Sequence, residues 1–383
     1  MKIALFTPFS PALGGGSAQL RSHFRALSDL DVVWHYLAPE PAANPSPNWK
    51  RIGQPFRPSE LLSDLSARTG FLPGAKAHAR RIVEQIEADL FWVVGHYEGL
   101  SVAAELCDQG RPLHLTVHDD PFGTWKRSQR YRFFSPLLHR TFPRILQRAK
   151  SIDVTSWGMR NLYREKYGVK CFSLYLHVPE LPVLRVRPDS DRLTIGHIGT
   201  LYQLEPFRRF LNACRKIAAE DNRSLRVIRI GTSAEWLNLP SEAADSLESH
   251  GDLEEQHAIP LLATCDLLYA MYPPGRKYDL FRKTSLPIKL STYVQAQRPI
   301  FVHSPLDSGL ARVLDSARVG CVCSSLEETA IAAQIRQTLD ATFARESFEL
   351  LRQELMGPEQ VQKLRAALRS EDWQRFPENN FRS

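Results

Sequence analysis

Short apolar runs recur along the chain, separated by amphipathic stretches. Lys2–Thr7 (KIALFT) is apolar almost throughout, which predicts a strand buried on both faces. A glycine-rich turn follows, then helical spacing from about Ser17 to Leu30. Asp31–Leu37, Leu90–Val94, Leu113–Val117, Ile152–Thr155 and Phe172–Leu176 read as further strands with helices between them. The Pro-rich stretch from Pro39 to about Lys76 reads as loops and a short helix. Strands alternating with helices imply a parallel sheet covered on both faces. From Val178 to Asp191 the chain holds Pro179, Pro182 and Pro188, each without a backbone donor, so this segment reads as a linker.

The alternation then restarts. Leu193–Ile198, Leu225–Ile230, Asp266–Tyr272, Pro299–His303 and Val319–Cys323 are predicted strands. Pro206–Ala219 is a predicted helix, Ile259–Cys265 closes another, and the chain beyond about Leu326 is mostly helical. The expected fold class is α/β, with two Rossmann-like halves in tandem and no repeat of sequence. Residues 1–180 form the first domain, 181–192 a linker, and 193–383 the second domain with terminal helices. Ligands of such sheets bind at the carboxyl ends of the strands, so two facing halves are expected to frame a cleft.

Composition narrows the class. The 383 residues suffice for two medium domains, and 43% apolar with 24% charged residues excludes wholesale disorder. No run is long enough to span a bilayer. The opening MKIALFTPFSP lacks the long apolar core and small-residue cleavage site of a secretory signal, so a cytoplasmic location is expected. Six cysteines occur without a CxxC, and Cys321 and Cys323 share one face of a predicted strand. Reduced, buried thiols are expected; no HExxH or His–Cys cluster supports a metal. A net charge of +7 favours a polyanionic partner, whether nucleotide, anionic membrane surface or nucleic acid.

Four segments carry candidate chemistry. Gly14-Gly15-Gly16-Ser17 follows the first strand, where glycines let backbone approach a ligand and the next helix offers free N–H groups. Gln19 stands where a dinucleotide fingerprint needs glycine, so NAD is not expected even with Glu40 near a ribose-acid position. A plain strand-to-helix turn is the structural alternative. Thr116-Val117-His118-Asp119-Asp120-Pro121 places His118 and Asp119 at a strand end, suited to hydrogen bonding a hydroxyl or moving a proton; a histidine that merely caps the strand is the alternative. Pro121–Ser151 has no acid but carries Lys126, Arg127, Arg130, Arg132, Arg140, Arg144, Arg148 and Lys150 among apolar residues. That pattern suits an anionic membrane surface or, equally, a solvated helix face packed on the sheet; no nucleic-acid motif accompanies it. Arg282, Lys283 and Lys289 precede a predicted helix and suit a diphosphate, the alternative being exposed surface charge.

Taken in order, these segments resemble the GT-B glycosyltransferases, within them the glycosyltransferase family 4-like group, over nearly the whole chain. The first strand with its Thr-Pro and glycine turn is similar to that family's opening, and Thr116–Asp119 to its strand end bearing a sugar-contacting histidine. Ile152–Thr155 followed by Ser156 and Gly158-Met159-Arg160 resembles its strand–Ser–helix segment. Ile195-Gly196-His197-Ile198-Gly199-Thr200-Leu201 resembles the opening of its donor domain, and His250-Gly251-Asp252-Leu253 its nucleobase loop. Pro287-x-Lys289-Leu290-x-x-Tyr293 through Arg298-Pro299-Ile300 resembles its donor-site helix and next strand.

The resemblance implies two Rossmann-like domains facing across a cleft, a nucleotide-sugar donor, retention at the sugar carbon and no obligatory metal. It implies His118 and Asp119 as catalytic candidates. It implies donor contacts from Gly15, Gly16, Gly199, Thr200, Gly251, Leu253, Arg282, Lys283, Lys289 and Thr292. The expected acceptor is a glycan or lipid-linked molecule of bacterial-type surface-polysaccharide or glycoconjugate synthesis, reached at the inner face of the membrane; no nucleic-acid partner is expected. The sequence departs from the pattern where two glutamates are usual: Thr284 and Thr292 stand there. Thr200 and Glu205 stand near the usual diphosphate cations, and a glutamate repels phosphate, so Lys289 with Arg282 or Lys283 would have to substitute. Two rivals stay open: a GT-B-fold binding or scaffold protein with a degenerate donor site, and a nucleotide-sugar epimerase.

Overall fold

The computed structural model describes residues 1–12, 14–37, 46–55, 73–122, 135–184, 186, 188–232 and 246–376. In chain order the first strands are β1 (Lys2–Thr7), β2 (Asp31–Tyr36), β3 (Trp49–Arg51), β4 (Leu90–Val94), β5 (Leu113–Val117), β6 (Ser151–Val154) and β7 (Phe172–Ser173). Among them run α1 (Gly15–Ala26), α2 (Pro73–Glu84), α3 (Glu98–Asp108), α4 (Ser135–Arg148) and α5 (Trp157–Tyr167). Next come β8 (Arg192–Ile198), α6 (Leu204–Glu220), β9 (Ser224–Ile230), β10 (Leu247–Ser249), α7 (Glu255–Leu262) and β11 (Leu267–Met271). The remainder is α8 (Asp279–Thr284), α9 (Lys289–Ala296), β12 (Ile300–His303), α10 (Gly309–Ala317), β13 (Gly320–Cys323), α11 (Glu328–Asp340), α12 (Arg345–Met356) and α13 (Pro358–Arg369).

The chain divides into two compact units. The first holds Met1–His177, Lys277–Ser285 and the C-terminal segment from Leu355; the second holds Val178–Arg276 and Leu286–Glu354. Each is built on one parallel sheet, ordered β3-β2-β1-β4-β5-β6-β7 in the first and β10-β9-β8-β11-β12-β13 in the second. The order reverses between β1 and β4 and between β8 and β11, the two places where such a sheet opens to ligand.

In the first unit, alternate residues of each strand serve opposite faces. Phe91 and Val93 of β4, with Leu113, Leu115 and Val117 of β5, pack under α2–α5 through Ile82, Val102, Leu106, Phe142, Ile145 and Tyr163. Ile3, Leu5, Trp34 and Trp92 form the other face, covered by Leu20 of α1, by Leu27 just after it, and by Val361, Leu364, Ala367 and Leu368 of α13. The latter face also buries a polar ladder: Trp92 Nε1 donates to Thr116 Oγ1 (2.8 Å), Thr116 Oγ1 donates to Asp153 (2.6 Å), and His114 Nε2 lies 2.8 Å from Asp153.

One reading needs correction, and two short strands come in addition. The terminal helices were assigned as a group to the second half, yet α13 packs on the first sheet. Its apolar stripe announces an amphipathic helix but does not say which sheet it covers. The edge strands β3 and β10 were not foreseen, because three residues give too little alternation to register. The basic amphipathic helix α4 spends its apolar side on the core: Leu138, Phe142, Ile145 and Leu146 are buried, while Arg144 pairs with Asp108 at 2.8 Å. Lys126, Arg127, Arg130 and Arg132 lie outside the described residues, as does Glu40. All six cysteines are free, and burial pushes the Cys321 and Cys265 thiols up to about 12. No described helix is long and apolar enough to cross a membrane.

Candidate functional site

The carboxyl end of β8 is where the second sheet parts. Residue pairing with β11 covers only Ile195↔Leu267 and Gly196↔Leu268. Beyond it, side chains bridge the strands. His197 Nδ1 donates to the Tyr269 carbonyl (2.9 Å), and Tyr293 Oη donates to the same carbonyl (2.7 Å) while accepting from the Ile198 N–H (3.2 Å). These contacts fix His197 with Nε2 as the acceptor. Burial, with the nearby Lys289 charge, holds its imidazole well below the usual range, hence neutral.

The turn after β8 begins at Gly199 (φ +79°), beside Gly231 (φ +108°) and near Gly251 (φ +61°) at the ends of β9 and β10. A Cβ on Gly231 would lie 3.3 Å from the Gly199 backbone, so these two turns touch main chain to main chain. Gly199 N–H donates to the Ile230 carbonyl at 2.8 Å and Gly231 N–H to the Gly251 carbonyl at 2.5 Å. The N-terminus of α6 follows without a side-chain cap, the arrangement that suits an anion.

Lys289, first residue of α9, reaches this turn. Its Nζ donates to the Thr200 carbonyl (3.0 Å), stands 3.5 Å from His197 Nε2, and lies 4.0 Å from where a Gly199 Cβ would be. Among the described residues no carboxylate pairs with it. Burial pushes the ammonium down to about 7 from an ordinary 10.5. Among the described residues the cationic form therefore lacks a counter-charge beside this glycine turn. Glu205, expected to repel phosphate here, is engaged by Arg209 (2.9 Å) and Arg208 (3.8 Å) one turn along α6, which leaves that turn net positive.

Thr292 occupies the place of a usual glutamate, yet a carboxylate is present. Glu255 Oε1, from the first turn of α7, accepts from Gln295 Nε2 at 2.8 Å and lies 3.5 Å from Ser291 Oγ and Thr292 Oγ1. Leu253 is half-buried just before that helix. Thr284, at the other glutamate position, is a structural residue of the first unit: its hydroxyl donates to the Leu280 carbonyl (2.6 Å) and its own carbonyl accepts from Ser156 Oγ (2.6 Å). Arg282 and Lys283 also belong to the first unit, and not to the unit of Lys289. They close the last turn of α8 rather than opening a helix; Arg282 is ion-paired with Asp279 and buried, Lys283 is exposed.

In the first unit Gly14 (φ +92°) enters α1, which starts at Gly15 without a side-chain cap. A Cβ on Gly16 would sit 2.9 Å from His118 Nδ1, so the imidazole rests on this glycine. Phe9 stacks on the same ring, centroids 6.5 Å apart. Burial pushes His118 down to about 4, opposed by Asp153 and Asp119, so the ring is neutral at pH 7. Its Nε2 is buried with no protein partner among the described residues. Asp119 Oδ1 accepts from Ser285 Oγ at 3.4 Å. Ser156 caps α5 by accepting from Met159 N–H (3.1 Å). The sequence pointed to Gly16, His118 and Lys289. It named His197 and Tyr293 only as members of longer motifs, without a role, and did not reach Glu255, whose partners Ser291, Thr292 and Gln295 lie far along the chain. Tyr97 (φ +45°), in the turn after β4 beside the first reversal point, is strained backbone that no sequence pattern marks.

Comparison with known proteins fits this geometry. Residues 13–171 match the family model described as Glycosyltransferase Family 4. No curated protein sequence matches the chain. Among solved structures, sucrose-phosphate synthase from Thermosynechococcus elongatus superposes with TM-score 0.71 at 14% identity, covering 96% of this chain and 98% of that one. WaaG, a glycosyltransferase involved in lipopolysaccharide biosynthesis, gives 0.63 at 13% identity, covering 96% and 99%. The α,α-trehalose 6-phosphate synthase of Burkholderia multivorans gives 0.61 at 13%, covering 96% and 98%. The chain therefore has the GT-B fold of glycosyltransferases, and its residues 13–171 are those that the Glycosyltransferase Family 4 model describes.

Proposed function

We propose that the protein moves a sugar from a nucleotide-sugar donor to a glycan or lipid-linked acceptor in the synthesis of a surface polysaccharide or glycoconjugate, at the cytoplasmic side, as a retaining hexosyltransferase. The observation that carries this reading is the Lys289 ammonium, with no carboxylate on it among the described residues, held by His197 and the Thr200 carbonyl beside Gly199 at the strand-order reversal. In this scheme the donor diphosphate lies on the Gly199 turn, where Lys289 and the N-terminus of α6 meet the charge that grows on the leaving phosphate. No step calls on a metal. Glu255, beside Thr292, supplies the carboxylate for the ribose hydroxyls. In the first unit, neutral His118 offers Nε2 to a sugar hydroxyl over the Gly16 turn.

The test is turnover against a panel of nucleotide sugars, with Lys289→Ala as the control. Transfer that falls by about tenfold to a hundredfold in the variant supports the scheme, since a charge-assisted phosphate contact is worth roughly 1.5–3 kcal/mol. Transfer untouched by the variant refutes it. A binding protein with a degenerate donor site is the second reading, favoured by Thr284 and Thr292 in place of two glutamates. It predicts no heat with UDP or GDP in calorimetry.

A further inference from the structure

The turn after β4 carries a tyrosine where its backbone suits glycine. Gly95 N–H donates to the Thr116 carbonyl (2.8 Å), His96 N–H folds back on the Val94 carbonyl (2.8 Å), and Gly99 N–H closes the turn on the His96 carbonyl (2.9 Å). A Cβ on Gly99 would fall 1.8 Å from the Val94 carbonyl oxygen, so the start of α3 is pressed against the end of β4. Between the two glycines Tyr97 takes φ +45° and ψ −123°, a conformation in which glycine is relaxed and a side chain is strained. Tyrosine here costs the fold what glycine would not, and what it supplies is a half-buried ring.

That ring is one of four at the carboxyl ends of three adjacent strands. His96 meets Tyr97 edge-on, centroids 4.0 Å apart, while Phe9, just past β1, stacks on His118, just past β5, at 6.5 Å. β4 lies between β1 and β5, with Val93 paired to Phe6 and Val94 to Thr116, so the two ring pairs leave the sheet side by side. The His96 charge weighs on the His118 imidazole, which puts these rings in one neighbourhood. All four are half-buried. They stand where the strand order reverses and a sheet of this kind opens to ligand.

Partly exposed rings offer a negative face to the polarised C–H bonds of a pyranose, and the imidazoles and phenol at their edges can bond its hydroxyls. The Asp119 carboxylate after His118 favours a neutral, hydroxyl-bearing group over a phosphate. We propose that Tyr97, with His96 and Phe9, seats one neutral sugar ring of the acceptor by its C–H face, beside His118. This seat presupposes the sugar-transfer reading and adds to it the class of acceptor: a glycan, soluble or lipid-linked, and not a bare lipid phosphate.

Saturation-transfer NMR on the full chain tests the seat without a donor, using methyl hexopyranosides, the corresponding hexitols as ringless probes, and octyl phosphate as the bare lipid phosphate. At least one glycoside should bind, with transfer strongest along one ring face, and its hexitol and octyl phosphate should bind several-fold more weakly. Tyr97→Gly relaxes the turn and deletes the ring, so it should weaken the glycoside about tenfold while melting no lower than wild type. Tyr97→Phe keeps the ring and should bind close to wild type. Calorimetry with UDP and GDP reads the donor turn, which belongs to the second unit. A chain that binds neither nucleotide ends the sugar-transfer reading and the seat's role with it; one that binds nucleotide but no glycoside ends the seat alone. The seat also fails if Tyr97→Gly binds glycoside as well as wild type, if that variant melts well below wild type, or if octyl phosphate binds as tightly. A dodecyl glycoside that outbinds its methyl counterpart assigns the ring to a lipid-linked acceptor, equal binding assigns it to a soluble glycan, and both results uphold the seat.

Discussion

A nucleoside diphosphate that binds the Gly199 turn should draw a proton onto Lys289. Burial brings this ammonium down to about 7, and a neighbouring diphosphate favours the charged form and pulls the value back up. At pH 8 the free protein then holds about 0.1 proton on Nζ and the complex close to one, an uptake of about 0.9. Above pH 7 affinity should fall by up to about tenfold per pH unit, roughly 1.4 kcal/mol. Calorimetry with UDP and GDP at pH 8, in buffers of low and high ionisation enthalpy, reads the uptake directly. Lys289→Met should remove the binding heat and its buffer dependence together. Tight binding with the same enthalpy in both buffers would refute the reasoning. The same nitrogen affects stability. The unfolded chain keeps the proton up to about 10.5 and the folded chain only to about 7. Between those values the unfolded state binds more protons, so stability rises with pH, and below pH 7 the full cost applies. Because Lys289 keeps some solvent contact, roughly 1–2 kcal/mol of this cost should reach the fold. Lys289→Met should therefore melt a few degrees higher than wild type at pH 7 while losing donor binding.

Three further outcomes can be checked. Gly16→Ala should push the His118 ring off its seat, lowering kcat by about tenfold or more at a stability cost near 1 kcal/mol, read by turnover and urea unfolding together; unchanged turnover would detach His118 from the chemistry. Glu255→Gln should raise the donor KM by about fivefold to tenfold with kcat nearly unchanged, since it removes one charged hydrogen bond made equally before and during reaction. Tyr293→Phe strips the Ile198 N–H of its acceptor and should cost about 1–3 kcal/mol in denaturant unfolding; no loss would mean that the β8–β11 bridge is dispensable.

Most of the strands were legible as apolar runs of five to seven residues, because a strand covered on both faces has no polar alternation to blur it. Leu90–Val94 and Leu113–Val117 match the expected limits residue for residue. The site was legible where backbone and charge mark it, at Gly16, Gly199 and Lys289. It was not legible where contacts are long-range. Arg282, Lys283 and Lys289 are neighbours in sequence, but the chain passes from the first unit to the second at Ser285/Leu286, a boundary that the run of basic residues does not announce. Glu255 lies 37 residues before Thr292, and only the packing of α7 against α9 brings its carboxylate there. His197 looks like any buried strand residue until its two ring nitrogens are given partners.

The seat of α13 has a consequence for synthesis. The residues that roof Ile3, Leu5 and Trp34, namely Val361, Leu364 and Leu368, are translated long after them. A nascent chain must carry this uncovered apolar surface through more than three hundred residues of elongation, a window in which holdase chaperones would find a binding surface. An isolated N-terminal half ending at the linker would keep that surface for good and should aggregate unless the α13 segment is added back in trans.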